Sequence, residues 1–205
     1  MEKTSFELAP VPPYNFHLQW KFFHSPREPQ PEIYCNGVWK RAFKLGNTLL
    51  PVTVTSTGTV EKPKLTVTAF SQLNAEQKKA LADKITDIFR LKENLSEVYA
   101  FMEKYETLRR IKRELYGLKP PGIGATIFEG IVRVILQQQR RMEVCVPNDL
   151  GARKAVSHFY FGGKLQPGDV VRRFMERWGK FKGWVIYYLL CAYNLELHKD
   201  KTKPF

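Results

Sequence analysis

The sequence is poor in residues that would staple, chelate or span. Its three cysteines, Cys35, Cys145 and Cys191, stand far apart with no Cys-x-x-Cys spacing. That excludes a disulfide framework and reads as reduced thiols in a cytosolic-type compartment. The four histidines, His17, His24, His158 and His198, form no metal-ligand pattern, so neither a metal nor an organic cofactor is expected. The longest apolar run, Trp184 to Tyr193, is too short to cross a bilayer. The N-terminus lacks the continuous apolar core of a signal peptide. No repeat or low-complexity tract is visible. The expectation is a cytoplasmic protein, neither secreted nor held in a membrane.

What is abundant is positive charge. The 205 residues carry 33 Lys+Arg against 20 Asp+Glu, a formal charge of +13, while 43% apolar content fits a folded chain. The excess is uneven. Residues 1–102 hold 13 cations against 10 acids, and residues 103–205 hold 20 against 10. A polyanion partner for the second half is expected, nucleic acid first and an acidic membrane surface second.

The first half reads as an antiparallel sheet. Tyr14 to Phe22 alternates apolar and polar residues and predicts a half-buried strand. Ile33-Tyr34-Cys35 and Val38 to Leu45 flank Asn36-Gly37, a strong hairpin signal. Leu49 to Thr55 and Lys64 to Phe70 are further Val/Thr-rich strands, with a turn at Ser56-Thr57-Gly58-Thr59. From Asn74 to Leu91, Leu81, Ile85, Ile88 and Phe89 line one helical face that can cover the sheet.

Helices follow. They are predicted over Leu95–Tyr105 and over Thr107–Tyr116, the latter stopped by Gly117 with Pro120-Pro121 beyond. Thr126-Ile127-Phe128-Glu129 is a capping box opening a helix that ends in Gln137-Gln138-Gln139-Arg140-Arg141. After Pro147-Asn148-Asp149, Ala152, Val156 and Phe159 recur at helical spacing. Asp149 therefore sits at a helix N-terminus, where backbone N–H groups and the helix dipole favour a carboxylate. Capping alone is a sufficient reason for an Asp here. Pro167 to Trp178 reads as an amphipathic helix with Val170, Val171, Phe174 and Trp178 inward, decorated by Arg172, Arg173, Arg177 and Lys180. Gly183 to Leu195 reads as a buried helix. The fold class is α+β: a sheet domain over residues 1–94, a helical domain over 95–198, and a basic, frayed tail over 199–205.

Several blocks in order resemble one family. They are Pro13 to Leu18, Gly37-Val38-Trp39-Lys40-Arg41 and Leu49 to Val54. Leu115-Tyr116-Gly117-Leu118-Lys119-Pro120-Pro121 follows, with Thr126 to Glu129 and Ile135 to Gln139. The last are Val146 to Gly151 with Arg153, and Glu176-Arg177-Trp178 through Phe181-Lys182-Gly183. Together they resemble the helix-hairpin-helix DNA glycosylase superfamily, in the branch of 3-methyladenine DNA glycosylase II. The resemblance implies flipping of a damaged, alkylated base from double-stranded DNA. It also implies cleavage of that base's N-glycosidic bond, with Asp149 as the catalytic carboxylate. Gln138 and Gln139 match a Gln pair near the cleft and are expected to position. Arg140, Arg141, Arg153 and Lys182 are candidate phosphate contacts; as readily, they are solvated helix faces. No cofactor is implied, and binding DNA would place the protein at the nucleoid.

The chain departs from the family in one place. Only Arg140-Arg141-Met142-Glu143 separates Gln139 from Val144, where relatives carry a long helical segment with the hairpin and the side chain that fills the space of the flipped base. Leu190 stands where relatives often carry an aromatic. Two outcomes follow. One is a glycosylase impaired by the deletion, its uncovered core surface favouring self-association. The other is a non-catalytic remnant that binds DNA or a partner. A basic α+β protein unrelated to repair is a third reading.

Overall fold

The computed structural model describes residues 2–23, 32–120, 122 and 147–201. The described chain falls into two compact units. One holds residues 2–23 and 32–95 together with 117–120 and 122; the other holds 96–116 together with 147–201. Gln138, Gln139, Arg140, Arg141 and the capping box at Thr126 lie outside the described residues.

The first unit is a five-stranded antiparallel sheet covered by helices. Its strands are β1 (Thr4–Leu8), β2 (Glu32–Cys35), β3 (Val38–Leu45), β4 (Thr48–Ser56) and β5 (Leu65–Ala69), in the order β1-β5-β4-β3-β2. β2 to β5 form a meander, and β1 closes the far edge by pairing with β5, Phe6 opposite Val67. The β2–β3 hairpin turns at Asn36 and Gly37, both at positive φ (50° and 78°), as its Asn-Gly pair requires. Alternation sorts the faces. Trp39, Phe43, Leu50, Val52, Val54, Leu65, Val67 and Ala69 point into the core, while Lys40, Lys44 and Leu49 face out. Helix α2 (Ala75–Phe89) lays Leu81, Ile85, Ile88 and Phe89 on that core. Asn74 caps it through a full capping box with Gln77.

Two expectations change here. The stretch from Tyr14 is no strand: Phe16–Phe23 is helix α1. Asn15 caps it, its Oδ1 accepting the Leu18 N–H at 2.9 Å and its carbonyl accepting the Gln19 N–H at 3.0 Å. Period-two alternation and a helix both place residues four apart on one side, so Phe16 and Trp20 satisfy either reading. The cap and the aromatic cluster of Phe16, Trp20, Trp39 and Phe89 decide for the helix. The outer strand is instead β1, a short segment whose Thr-Ser-Phe-Glu-Leu alternates weakly.

Charged groups are also buried in this unit. Arg41 pairs with Glu32 at 3.0 Å with both side chains under 10% exposed. Lys119 is fully buried, its Nζ donating to the carbonyls of Val11 (2.7 Å) and Leu91 (3.3 Å). Its own N–H donates to Gln19 Oε1. Burial pushes the Lys119 ammonium down to about 8, with Glu93 opposing the shift and Arg90 adding to it. Just upstream, the carbonyl of Gly117 (φ 80°) accepts the Asn15 N–H at 2.8 Å. A Cβ there would lie 2.8 Å from Asn15 N and 2.9 Å from Val60 Cγ1. The helix stop read from Gly117 is therefore also a packing requirement.

The second unit is helical: α3 (Ser96–Met102), α4 (Glu106–Glu114), α5 (Leu150–Tyr160), α6 (Gly168–Met175), a 3-10 segment (Glu176–Phe181) and α7 (Lys182–Lys201). α7 is its spine, burying Val185, Ile186, Tyr188, Leu189, Cys191 and Ala192. It runs on to Lys201, into the stretch expected to be a frayed tail. Gly179 (φ 49°, ψ −129°) breaks the helical path before α7. Glu196 ties α7 to α5 through His158 at 2.6 Å, and Phe181 stacks on Phe101 of α3 at 4.6 Å. Among the described residues no helix is long and apolar enough to cross a membrane.

Candidate functional site

Asp149 is the N-cap of α5, in extended conformation (φ −61°, ψ 129°). One carboxylate oxygen, Oδ1, accepts the Ala152 N–H at 2.8 Å, and the Asp149 carbonyl accepts the Arg153 N–H at 3.0 Å. The residue is half-buried. Among the described residues no second hydrogen bond and no cation engages the carboxylate. It is thus held in one orientation by the helix, with its other oxygen uncommitted among the described residues, at the positive end of the α5 dipole.

The floor beside it is apolar and tight. A Cβ on Gly151 would stand 3.1 Å from Asp149 Oδ1 and 3.2 Å from Leu190 Cδ2. The carboxylate and the Leu190 side chain of α7 therefore approach the same point, and a side chain between them would require one of the two to shift by a few tenths of an ångström. On the other side, Asn148 packs against Gly168, the first residue of α6, where a Cβ would collide with the Asn148 carboxamide. The start of α6 is so brought back against the start of α5.

The chain returns through a turn built on Ser157. The buried Ser157 carbonyl accepts the N–H groups of Phe161 (2.9 Å) and Gly163 (3.0 Å), and its Oγ accepts the Gln166 N–H (3.0 Å). Arg153 Nε donates to the Gln166 carbonyl at 2.8 Å. Arg153, one turn along from Asp149, thus braces this turn. Lys182 pairs with Glu176 at 3.2 Å, at the base of α7. The structure brings Asp149, Arg153, Gly151 and Leu190 together. It gives Arg153 and Lys182 local partners. Ser157, Gly151 and Gly168 were not read from the sequence as parts of the site. A glycine in the first turn of a helix is a poor helix former, and its presence there signals close approach.

Among the described residues no group of three His, Cys, Asp or Glu could hold a metal ion. The chemistry this corner offers is that of a fixed carboxylate beside an apolar wall, with cations on the surrounding helices.

No family model matches the chain, and no curated protein sequence matches it. A solved structure does. It is a 3-methyladenine DNA glycosylase from Archaeoglobus fulgidus, with a TM-score of 0.70 over 90% of this chain and 97% of that one. The chain shares the fold of that glycosylase. At 20% identity the likeness is one of fold. Within this glycosylase fold, the antiparallel sheet followed by helices expected from the sequence is what the structure contains.

Proposed function

We propose that the chain is a DNA glycosylase of base excision repair, acting on an alkylated base flipped out of duplex DNA. A purine alkylated at N3 or N7 carries positive charge in the nucleotide, so it departs as a neutral base when the bond from C1′ to nitrogen breaks and the nitrogen keeps the electron pair. The sugar left behind is oxocarbenium-like. The Asp149 carboxylate stabilises that charge and accepts a proton from the water that adds to C1′. Flipping supplies access, because the bond is shielded within the stack. Hydrolysis of this kind requires no cofactor.

The observation that carries this reading is the state of Asp149 in a chain of glycosylase fold. The carboxylate is oriented by the α5 N-terminus yet half-exposed, with one oxygen uncommitted among the described residues. The test is incubation with duplexes carrying alkylated bases, followed by a count of abasic sites. Base release that disappears in Asp149→Asn is the expected result. Release that persists in Asp149→Asn, or none from the unaltered protein, refutes it.

The second reading, a DNA-binding protein without cleavage, is favoured by the bond from Asp149 Oδ1 to Ala152 N–H. Capping accounts for that aspartate without any chemistry. It predicts salt-sensitive retardation of duplex DNA with no abasic sites.

A further inference from the structure

Arg177 is bound to the Phe174 carbonyl, and the other lysines and arginines between Asp149 and Gly183 fall into two classes. Arg173 pairs with Asp169, Lys180 with Glu97 and Lys182 with Glu176, and Arg153 is bound to the Gln166 carbonyl. Lys154, Lys164 and Arg172 are exposed, and among the described residues no carboxylate pairs with them. We propose that Lys154, Lys164 and Arg172 form a docking surface for the phosphate backbone of duplex DNA, built around the Asp149 corner.

Their placement supports this. Lys154 lies one turn along α5 from Leu150, the exposed residue next to Asp149, and residues four apart share a helix face. Arg172 stands in the same relation to Gly168, which packs on Asn148. Two helix faces that start beside the carboxylate thus each present an unpaired cation one turn away. Lys164 belongs to the turn held by Ser157 and Arg153, whose bonds to Gly163 and Gln166 fix the backbone on either side of it. A rigid set of separated cations suits a regular array of phosphates. The exposed large apolar side chains described in this unit are Leu150, Leu165 and Leu197. Leu150 and Leu165 are neighbours of two of these cations, and two isolated leucines offer too little apolar area to anchor the chain in lipid.

The partner rests on the glycosylase reading, but the test does not require base release. Affinity for a short undamaged duplex is measured against salt concentration. Each phosphate contact contributes about 0.9 to the slope of log K against log salt. Lys154→Gln, Lys164→Gln and Arg172→Gln should each lower the slope by about that amount, whereas Arg173→Gln and Lys180→Gln should leave it in place. Thermal melts check that all five variants fold. Equal slope losses in both sets, no loss in the first set, or no duplex binding by the unaltered protein overturns the proposal. So does binding to anionic vesicles that falls with the same three substitutions while duplex binding does not. If the slopes fall as stated but no base is released from alkylated duplex, the docking surface stands and the excision reading fails.

Discussion

Asp149 caps α5, and the proposed excision gives it a second duty that substitution separates from the first. As a cap it satisfies the Ala152 N–H; in the proposed excision it also stabilises, as a charge, the sugar left behind. Asparagine is as good an N-cap as aspartate, so Asp149→Asn keeps the first duty and removes the second. The stability lost is then the interaction of a carboxylate with the helix dipole, about 0.3–1 kcal/mol for a half-exposed group. For a chain of this length that lowers the melting temperature by no more than about 4 °C. Asp149→Ala loses the cap as well, about 1 kcal/mol more. Catalysis moves on another scale. Removing one fixed electrostatic group from a developing charge costs about 100-fold or more, roughly 3 kcal/mol of activation free energy. The assay is single-turnover base release from alkylated duplex, with melts of the same preparations. Both variants should lose release equally while differing in stability, Asn close to the unaltered protein and Ala below it. Release that tracks stability, with Asn active and Ala weak, would show that Asp149 serves only as a cap and would refute the reasoning.

Other outcomes follow from the packing. Gly151→Ala must displace Asp149 Oδ1 or Leu190 Cδ2, 3.1 and 3.2 Å from the new carbon. Base release should fall while helix propensity keeps stability level or raises it by up to about 1 kcal/mol; adding Leu190→Ala should restore release if the clash is the cause. Lys119 has a folded-state value of about 8 against 10.5 unfolded. The unfolded chain therefore binds more protons between those values, and this contribution to stability grows as pH rises through that window. Burial pushes the Cys191 thiol up to about 12 and raises Tyr14, which opposes the trend at higher pH. The comparison with Lys119→Met isolates the lysine. The unaltered protein should gain about 1 kcal/mol on the variant between pH 8 and 9 in urea melts, and a gap independent of pH would be the contrary result. Arg41→Ala should cost about 3–5 kcal/mol by stranding buried Glu32, and Arg41→Met with Glu32→Leu should recover most of it. Equal losses in the single and double variants would show that the pair's charges are not the cause.

The parts of the fold legible in the sequence are those where local chemistry admits one answer. Asn36-Gly37 allows little but a tight hairpin. Leu81, Ile85, Ile88 and Phe89 recur at a spacing only a helix makes contiguous, and α4 ends at Glu114, two residues before the end read from Gly117. The Asp149 cap was legible for the same reason: an Asx after a proline and before an apolar-periodic run has few other uses. Where a pattern suits two structures, the residues could not choose. Tyr14 to Phe22 alternates, yet Asn15 caps a helix there because Phe16 and Trp20 meet Phe89 and Trp39, which lie far along the chain.

The sequence by itself determined the α+β class, the main helix faces, and a carboxylate at a helix N-terminus in a basic half. Tertiary structure alone decided which cations are spent. Lys154 and Arg153 are neighbours in sequence, yet Arg153 is tied to the Gln166 carbonyl thirteen residues on and Lys154 is exposed. It also decided that Gly151 lies between Asp149 and Leu190, and that Lys119 is enclosed among carbonyls. The reason is range. Caps, turns and periodicity act over a few residues, whereas burial and ion pairing depend on groups that only folding brings within a few ångströms.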